Sequence, residues 1–185
     1  MTTTKILVIR HAEKPNSHGI GGVEANGQPD EKSLTPRGWQ RAGALVRLFA
    51  PDNARPRAPL ERPKHLFAAR AKEGADDHSK RPHQTIEPLA EYLNLPRGID
   101  DSLRKDEFKK LIQAVTALDD AVLVSWEHKN IPPMARLLVP AGDAVPNWPE
   151  ERFDMIWVFD RVGKTWHLTQ VPQLLLAGDK VELFT

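Results

Sequence analysis

Two kinds of segment alternate along the chain from residue 5 to residue 139. Short, continuously apolar runs occupy 5–9, 65–69 and 121–126, a pattern typical of strands buried on both faces. Between them lie longer segments whose apolar residues recur at helical spacing, as they do from Trp39 to Phe49. This alternation predicts an α/β fold, a three-layer αβα sandwich with a mostly parallel central sheet.

Four helices are predicted, and the signals at the ends of the first are the clearest. Thr35 is placed to act as its N-cap, Pro36 suits the first helical position, and Pro51 stops it. The remaining helices are expected over 81–95, 106–118 and 131–139. A short strand is expected within 97–101, between the second and third helices.

The last part of the chain predicts a different arrangement of strands. The segments "MIWVFD" and "TWHLTQV", joined by "RVGK", have the pattern of an antiparallel hairpin, which would extend the sheet at one side. Pro15–Ser33, Asp52–Lys64 and Arg70–Lys80 are expected to be long connections that shape the entrance to a site. Because no repeat or break in composition separates the chain, we expect residues 1–185 to form one domain.

The composition excludes several classes of function. Lys and Arg total 26 and Asp and Glu total 25, so the net charge of +1 gives no general attraction to nucleic acid or to an anionic membrane. Cysteine is absent, which excludes thiol nucleophiles, disulfides and cysteine-rich zinc sites. The sequence has no basic leader followed by a long apolar run and no run long enough to cross a bilayer, so a soluble cytoplasmic protein is expected.

Polar residues with chemical potential stand where two predicted strands end. "ILVIRH" ends in Arg10 and His11, and "AVLVSWEH" ends in Glu127 and His128. Because parallel strands present their carboxyl ends at one edge of a sheet, where such folds bind ligands, these side chains are expected to converge. An imidazole can be a nucleophile, acid, base or metal ligand, whereas neighbouring guanidinium groups favour a phosphate or carboxylate over a metal cation. Arg81, at the start of the second helix, would add a second guanidinium where a helix N-terminus already favours anions.

Four segments occur in a fixed order between residue 5 and about residue 140, namely "RHAEKP", "LTPRGWQRA", "SKRPHQT" and "VLVSWEHKNIP". Together they resemble the motifs of the histidine phosphatase superfamily, also called the phosphoglycerate mutase-like family. The first resembles its Arg-His motif in the form of the RHAEK-type subgroup. The third has Pro82 where the family usually has alanine. The fourth resembles the strand that brings a second histidine to the site.

The resemblance implies a role for each matching residue. His11 would be the nucleophile, forming a transient phosphohistidine, and Arg10, Arg81 and His128 would surround the phosphoryl oxygens. A carboxylic acid must protonate the leaving oxygen, and Asp101 is our choice for it. The other candidates are Asp100, Asp106, Glu107, Glu13 and Glu127.

The sequence therefore predicts a metal-independent phosphatase that acts on a small phosphorylated substrate and needs no cofactor. Phosphoryl transfer between positions of a substrate, as in a mutase, remains an alternative, although "RHAEKPNS" lacks the serine and asparagine pattern of true phosphoglycerate mutases. A catalytically silent module that binds a phosphorylated ligand is the other alternative. Arg37 and Arg41 are expected to be surface charges or salt-bridge partners, and His18 and His78 to be solvated in loops or to touch substrate. The identity of the substrate and the oligomeric state stay open.

Overall fold

The structure is a computed structural model that describes residues 5–16, 19–70 and 79–185. Its strands are β1 (Lys5–Arg10), β2 (His65–Ala68), β3 (Ile99–Asp100), β4 (Val122–Trp126), β5 (Met155–Val162) and β6 (Thr165–Pro172). Its helices are α1 (Pro36–Phe49), α2 (Arg81–Leu93), α3 (Phe108–Thr116) and α4 (Ile131–Leu138), with a turn of 3-10 helix at His128–Asn130. These elements differ from the predicted segments only at their ends. No helix among the described residues is both long and apolar enough to cross a membrane.

The strands form one sheet in the order β3-β2-β4-β1-β5-β6. β1, β2, β3 and β4 pair in parallel, whereas β5 pairs antiparallel with both β1 and β6. The mostly parallel sheet with a C-terminal antiparallel hairpin is therefore confirmed. The hairpin turn is tighter than "RVGK" indicated, because the strands pair as far as Val162 and Thr165, and Gly163 takes a positive φ of 63° between them.

Both faces of the sheet are buried, which confirms the three-layer arrangement. Side chains alternate along β1, so Ile6 and Val8 join a core with residues of α3 and α4, while Leu7 and Ile9 join a core with residues of α1 and α2. This explains why the first apolar run is continuous rather than alternating. The strand begins and ends with a buried charged residue, Lys5 and Arg10, and Arg10 is only 1% exposed.

The first turn of α1 lies against the chain that follows β1. The Thr35 side chain caps the helix as predicted, accepting a hydrogen bond from the Gly38 amide at 3.2 Å. The Thr35 amide donates to the carbonyl oxygen of Glu13 at 3.0 Å. Gly38 permits this approach, because a Cβ atom there would lie 2.7 Å from the same oxygen. The "LTPRGWQRA" segment thus braces the chain just beyond His11.

Candidate active site

The carboxyl ends of β1 and β4 meet at the start of α2. The His11 amide donates to the carbonyl oxygen of Trp126 at 3.0 Å, which extends the pairing of the two strands. The next amide, that of Ala12, donates to Thr85 Oγ1 at 2.8 Å, and this hydroxyl donates to the Arg81 carbonyl oxygen at 2.7 Å. The first turn of α2 is therefore held against the residues that follow β1.

His11 is held in one tautomer. Its Nδ1 lies 2.8 Å from the carbonyl oxygen of Ala12, which can only accept, so Nδ1 carries the proton and Nε2 keeps a lone pair. Burial lowers the pKa of His11 well below its usual value, and the positive charge of Arg10 lowers it further. The imidazole is therefore neutral near pH 7, and Nε2 is available as a nucleophile.

Arg10 presents part of its guanidinium group without a protein partner. Nη1 donates to the carbonyl oxygens of Glu150 and of Arg152, and the group stacks on the Phe153 ring, 3.9 Å from its centroid. Among the described residues, the buried Nε and Nη2 atoms have no hydrogen-bond partner. Burial lowers the pKa of Arg10 to about 10, and the charge of Arg81 contributes to this shift, yet Arg10 stays charged at neutral pH. Such unpaired buried donors suit an anion.

His128, one residue beyond the polar Glu127 that follows β4, is buried in the same region. Burial lowers the pKa of His128 to about 4, with the charge of Arg10 as the next cause. A protonated His128 would in turn lower the pKa of His11. The Nδ1 atom of His128 is buried and has no hydrogen-bond partner within the part of the chain that the structure describes. The structure thus brings Arg10, His11, Arg81 and His128 together, with both imidazoles neutral near pH 7.

A small cavity opens beside His11. Its volume is about 60 Å³. Because one water-sized group needs roughly 10–15 Å³ of such a cavity, about four to six of these groups fit, which matches the five heavy atoms of a tetrahedral oxyanion. The described residues on its wall are His11, Ala69, Arg70, Ser79, Arg81, Pro82, Lys105 and Glu127. Arg10 and His128 do not line the cavity, but both are buried close enough to His11 for their charges to lower its pKa. Arg81, the first residue of α2, is oriented by a bond from Nη1 to the Glu31 carbonyl oxygen at 3.1 Å.

The candidate carboxylates are not equally close to this cavity. Glu127 lines it and accepts a hydrogen bond from Asn130 Nδ2 at 3.2 Å. Asp101, the residue chosen from the sequence, is exposed and does not line it. The same holds for two other exposed candidates, Asp100 and Asp106. Geometry therefore favours Glu127.

The two remaining carboxylates are bound in ion pairs elsewhere. Glu107 pairs with Lys110 at 2.7 Å. Glu13 pairs with Arg41 at 2.8 Å and with Arg37 at 3.2 Å, so both arginines of the second segment form salt bridges. Arg41 is nevertheless deeply buried, which the expectation of surface charges did not include.

Some residues at the site were not found from the sequence. Arg70, which the sequence placed only in a connection at the entrance, lies two residues beyond the end of β2, so the rule that pointed to the ends of β1 and β4 could also have found it. Lys105 and Phe153 come from irregular segments, and no pattern marks them. His18 and His78 lie outside the described residues. No cluster of three or more His, Asp or Glu side chains that could hold a metal ion occurs within residues 5–16, 19–70 and 79–185.

No protein-family model and no curated protein sequence matches this chain. Solved structures do resemble it. The protein histidine phosphatase SixA, complexed with tungstate, is 14% identical, with a TM-score of 0.59 and coverage of 91% of this chain and 97% of that one. A putative alpha-ribazole-5'-P phosphatase from Escherichia coli is 13% identical, with a TM-score of 0.59 and coverage of 91% and 96%.

The ecdysone phosphate phosphatase of Bombix mori, also complexed with tungstate, is 11% identical, with a TM-score of 0.54 and coverage of 98% and 97%. At these identities the likeness is one of fold. The chain has the fold of the histidine phosphatases over nearly its whole length, as the four sequence segments predicted.

Proposed function

We propose that this protein is a phosphatase that hydrolyses a phosphomonoester through a phosphohistidine on His11, without a metal ion. The observation that carries the proposal is the state of His11: a neutral imidazole on the wall of an anion-sized cavity, with its proton held on Nδ1 and its Nε2 lone pair available. Phosphoryl transfer requires a positioned nucleophile and positive donors, and both are present.

In the first step, Nε2 of His11 attacks phosphorus in line while the bond from phosphorus to the leaving oxygen breaks. The unpaired donors of Arg10, together with Arg81 and His128, stabilise the charge on the three non-bridging oxygens. The bond from Nδ1 to the Ala12 carbonyl oxygen stabilises the positive charge that develops on the ring. A proton from the carboxyl group of Glu127 goes to the leaving oxygen, so an alcohol departs.

In the second step, water attacks the phosphohistidine. The Glu127 carboxylate takes a proton from this water, the oxygen bonds to phosphorus, and the bond between nitrogen and phosphorus breaks. Phosphate leaves, His11 is again neutral, and Glu127 again holds the proton that the next cycle needs.

Hydrolysis of p-nitrophenyl phosphate by wild type and by His11→Ala tests the proposal. We expect turnover by wild type and a loss of several orders of magnitude in the variant. His167→Ala, which removes an exposed imidazole on β6, is the matched control and should keep the wild-type rate. Equal rates for wild type and His11→Ala would remove the proposal, and no turnover by wild type would favour the silent binding module.

Variants of the two carboxylates distinguish Glu127 from Asp101 as the proton donor. Glu127→Gln should lower kcat for an alkyl phosphate such as glycerol 3-phosphate by about 10²–10⁴-fold, and much less for p-nitrophenyl phosphate, whose leaving group needs little protonation. Asp101→Asn should behave as wild type. If the loss that depends on the leaving group appears in Asp101→Asn instead, Asp101 is the donor, as the sequence indicated.

The leaving group itself is open. The enzymes of similar fold are named for a protein histidine, an alpha-ribazole phosphate and an ecdysone phosphate, so their leaving groups share little beyond the phosphoryl group. We therefore propose hydrolysis of a phosphomonoester and leave the rest of the substrate to be found. Release of inorganic phosphate, rather than transfer to another position of the substrate, separates this proposal from mutase activity. The RHAEK-type subgroup and a cytoplasmic location remain predictions.

A further inference from the structure

The cavity wall includes two cations, Arg70 and Lys105, that the proposed reaction does not use. Both are held by their backbones. The Arg70 amide donates to the Leu103 carbonyl oxygen at 2.7 Å, and Arg70 forms a parallel bridge with Arg104, so it continues the sheet beyond β2. The Lys105 carbonyl oxygen accepts from Trp126 Nε1 and from Asn130 Nδ2, each at 3.0 Å. Backbone hydrogen bonds therefore fix the positions of both residues at the rim of the cavity.

Arg70 differs from the neighbouring cations in its partners. Lys105 and Arg104 both form ion pairs, with 3.6 Å between Lys105 Nζ and Glu127 Oε1 and 3.4 Å between Arg104 Nε and Asp106 Oδ1. The exposed side chain of Arg70 makes no salt bridge or hydrogen bond in the part of the chain that the structure describes. Its guanidinium is thus available to a group that enters the cavity beside His11.

We propose that the substrate carries a second anionic group, which binds Arg70 while the phosphoryl group binds Arg10 and Arg81. This inference rests on the proposed phosphatase function. Among the described residues, the cations on the cavity wall are Arg70, Arg81 and Lys105, and the one acid is Glu127, so positive charge remains when Arg81 is engaged with the phosphoryl group. A guanidinium group binds carboxylates and phosphates through paired, charge-assisted hydrogen bonds. The second group is an anionic oxygen group of either kind.

Two matched pairs of substrates test the proposal and separate the two kinds of anion. Glycerol 3-phosphate and 3-phosphoglycerate differ by a hydroxymethyl group in place of a carboxylate. The monophosphate and bisphosphate of 1,3-propanediol differ by a second phosphate. We expect kcat/KM to be about tenfold higher for the anionic member of at least one pair, as one charge-assisted hydrogen bond provides. Because Arg70 is exposed, this preference should decrease as salt is added.

Arg70→Gln should reduce the preference for the anionic member of the pair at least about fivefold. Arg70→Lys keeps the charge but not the planar pair of guanidinium donors, so it should keep part of this preference. Arg97→Gln is the matched control: it removes an exposed arginine that does not line the cavity, and it should keep the full preference. The comparison is a ratio of two substrates within one variant, so a general loss of activity or folded protein cancels. If Arg70→Gln and Arg97→Gln keep the same preference, or wild type has none, the proposal is wrong.

Binding separates failure of this proposal from failure of the proposed function. Calorimetric titration of His11→Ala with each pair requires no turnover, and the anionic member should bind about tenfold more tightly only when Arg70 is present. Hydrolysis of p-nitrophenyl phosphate without any preference within the pairs would overturn the Arg70 site alone. Preferential binding that requires Arg70, without hydrolysis by wild type, would overturn the phosphatase proposal and support the anion site.

Discussion

Arg41→Met removes a guanidinium that joins three separate segments of the chain. Arg41 lies on the buried side of α1 and is 2% exposed. Its Nε and Nη2 donate to the Glu13 carboxylate, Nη1 and Nη2 donate to Asp179, and Nη1 also donates to Gln173 Oε1 at 2.9 Å. Methionine is similar in length but has no charge and no donor. The variant therefore leaves two carboxylates near each other without the buried guanidinium that they share.

The burial of these carboxylates sets the size of the effect. The side chain of Glu13 is 13% exposed and that of Asp179 is 3% exposed. Removing one partner of such a buried ion pair costs about 3–5 kcal/mol, a large part of the roughly 5–15 kcal/mol that stabilises a typical domain. Burial alone would lower the pKa of Arg41, but the hydrogen bonds with Asp179 and Glu13 raise it above its usual value, which reflects the same coupling.

Arg37→Met is the matched control. Arg37 lies on the same helix and faces the same carboxylates, at 3.2 Å from Glu13 and 3.8 Å from Asp179, but its side chain is 44% exposed. An exposed pair contributes about 0.2–1 kcal/mol, so this variant should remain close to wild type. The free energy of unfolding is measured by urea titration, with the fluorescence of the tryptophans as the signal.

A double variant tests the cause of the loss. Because Asp179→Asn removes one of the two charges that lose their buried partner in Arg41→Met, the double variant should lose at least about 1 kcal/mol less than the sum of the two single losses. The reasoning is refuted if Arg41→Met and Arg37→Met cost the same, or if the two single losses simply add.

Two further predictions concern stability. Gly38→Ala should cost roughly 1–3 kcal/mol of stability, because its Cβ would lie 2.7 Å from the Glu13 carbonyl oxygen. Gly43→Ala lies on the same helix with open space around it and should stabilise the protein by up to about 1 kcal/mol. Melting temperatures of the two variants that shift in the same direction would contradict this. His128 has a pKa of about 4 when folded and about 6.5 when unfolded, so the unfolded state binds its proton first. Between these pH values its contribution to stability should decrease with acidification by about 1.4 kcal/mol per pH unit, in addition to the loss that comes from His11. Urea titrations at pH 6.5 and pH 5 measure the free energy of unfolding. Its decrease between the two pH values should be smaller for His128→Gln than for wild type and for His167→Gln, and equal decreases would contradict the prediction.

The part of the site that lies at strand ends could be predicted from the sequence. Arg10 and His11 directly follow a continuously apolar run, and the topology of a parallel sheet brings the end of that run beside the end of β4. Thr35 and Pro36 mark the start of α1 by local chemistry alone. In each case the relevant forces act within a few residues or follow from the strand order.

The remaining parts depend on how separate elements are oriented, and no local pattern carries that information. The sequence led us to choose Asp101 over Glu127 as the acid, but the packing of the loop after β3 and of the end of β4 decides which one faces the cavity. Phe153 stacks on Arg10 from an irregular segment without periodicity. Arg41 is buried because two carboxylates from distant segments surround it, against the usual exposure of arginine.

The nucleophilic role of His11 is tested most directly by rapid-quench labelling with a phosphomonoester that carries ³²P in its phosphoryl group. Within the first turnover, wild type should carry the label, alkali-stable and acid-labile as on a nitrogen atom, and peptide mapping should locate it on His11. Turnover without a labelled protein, or with the label on another residue, would contradict the account.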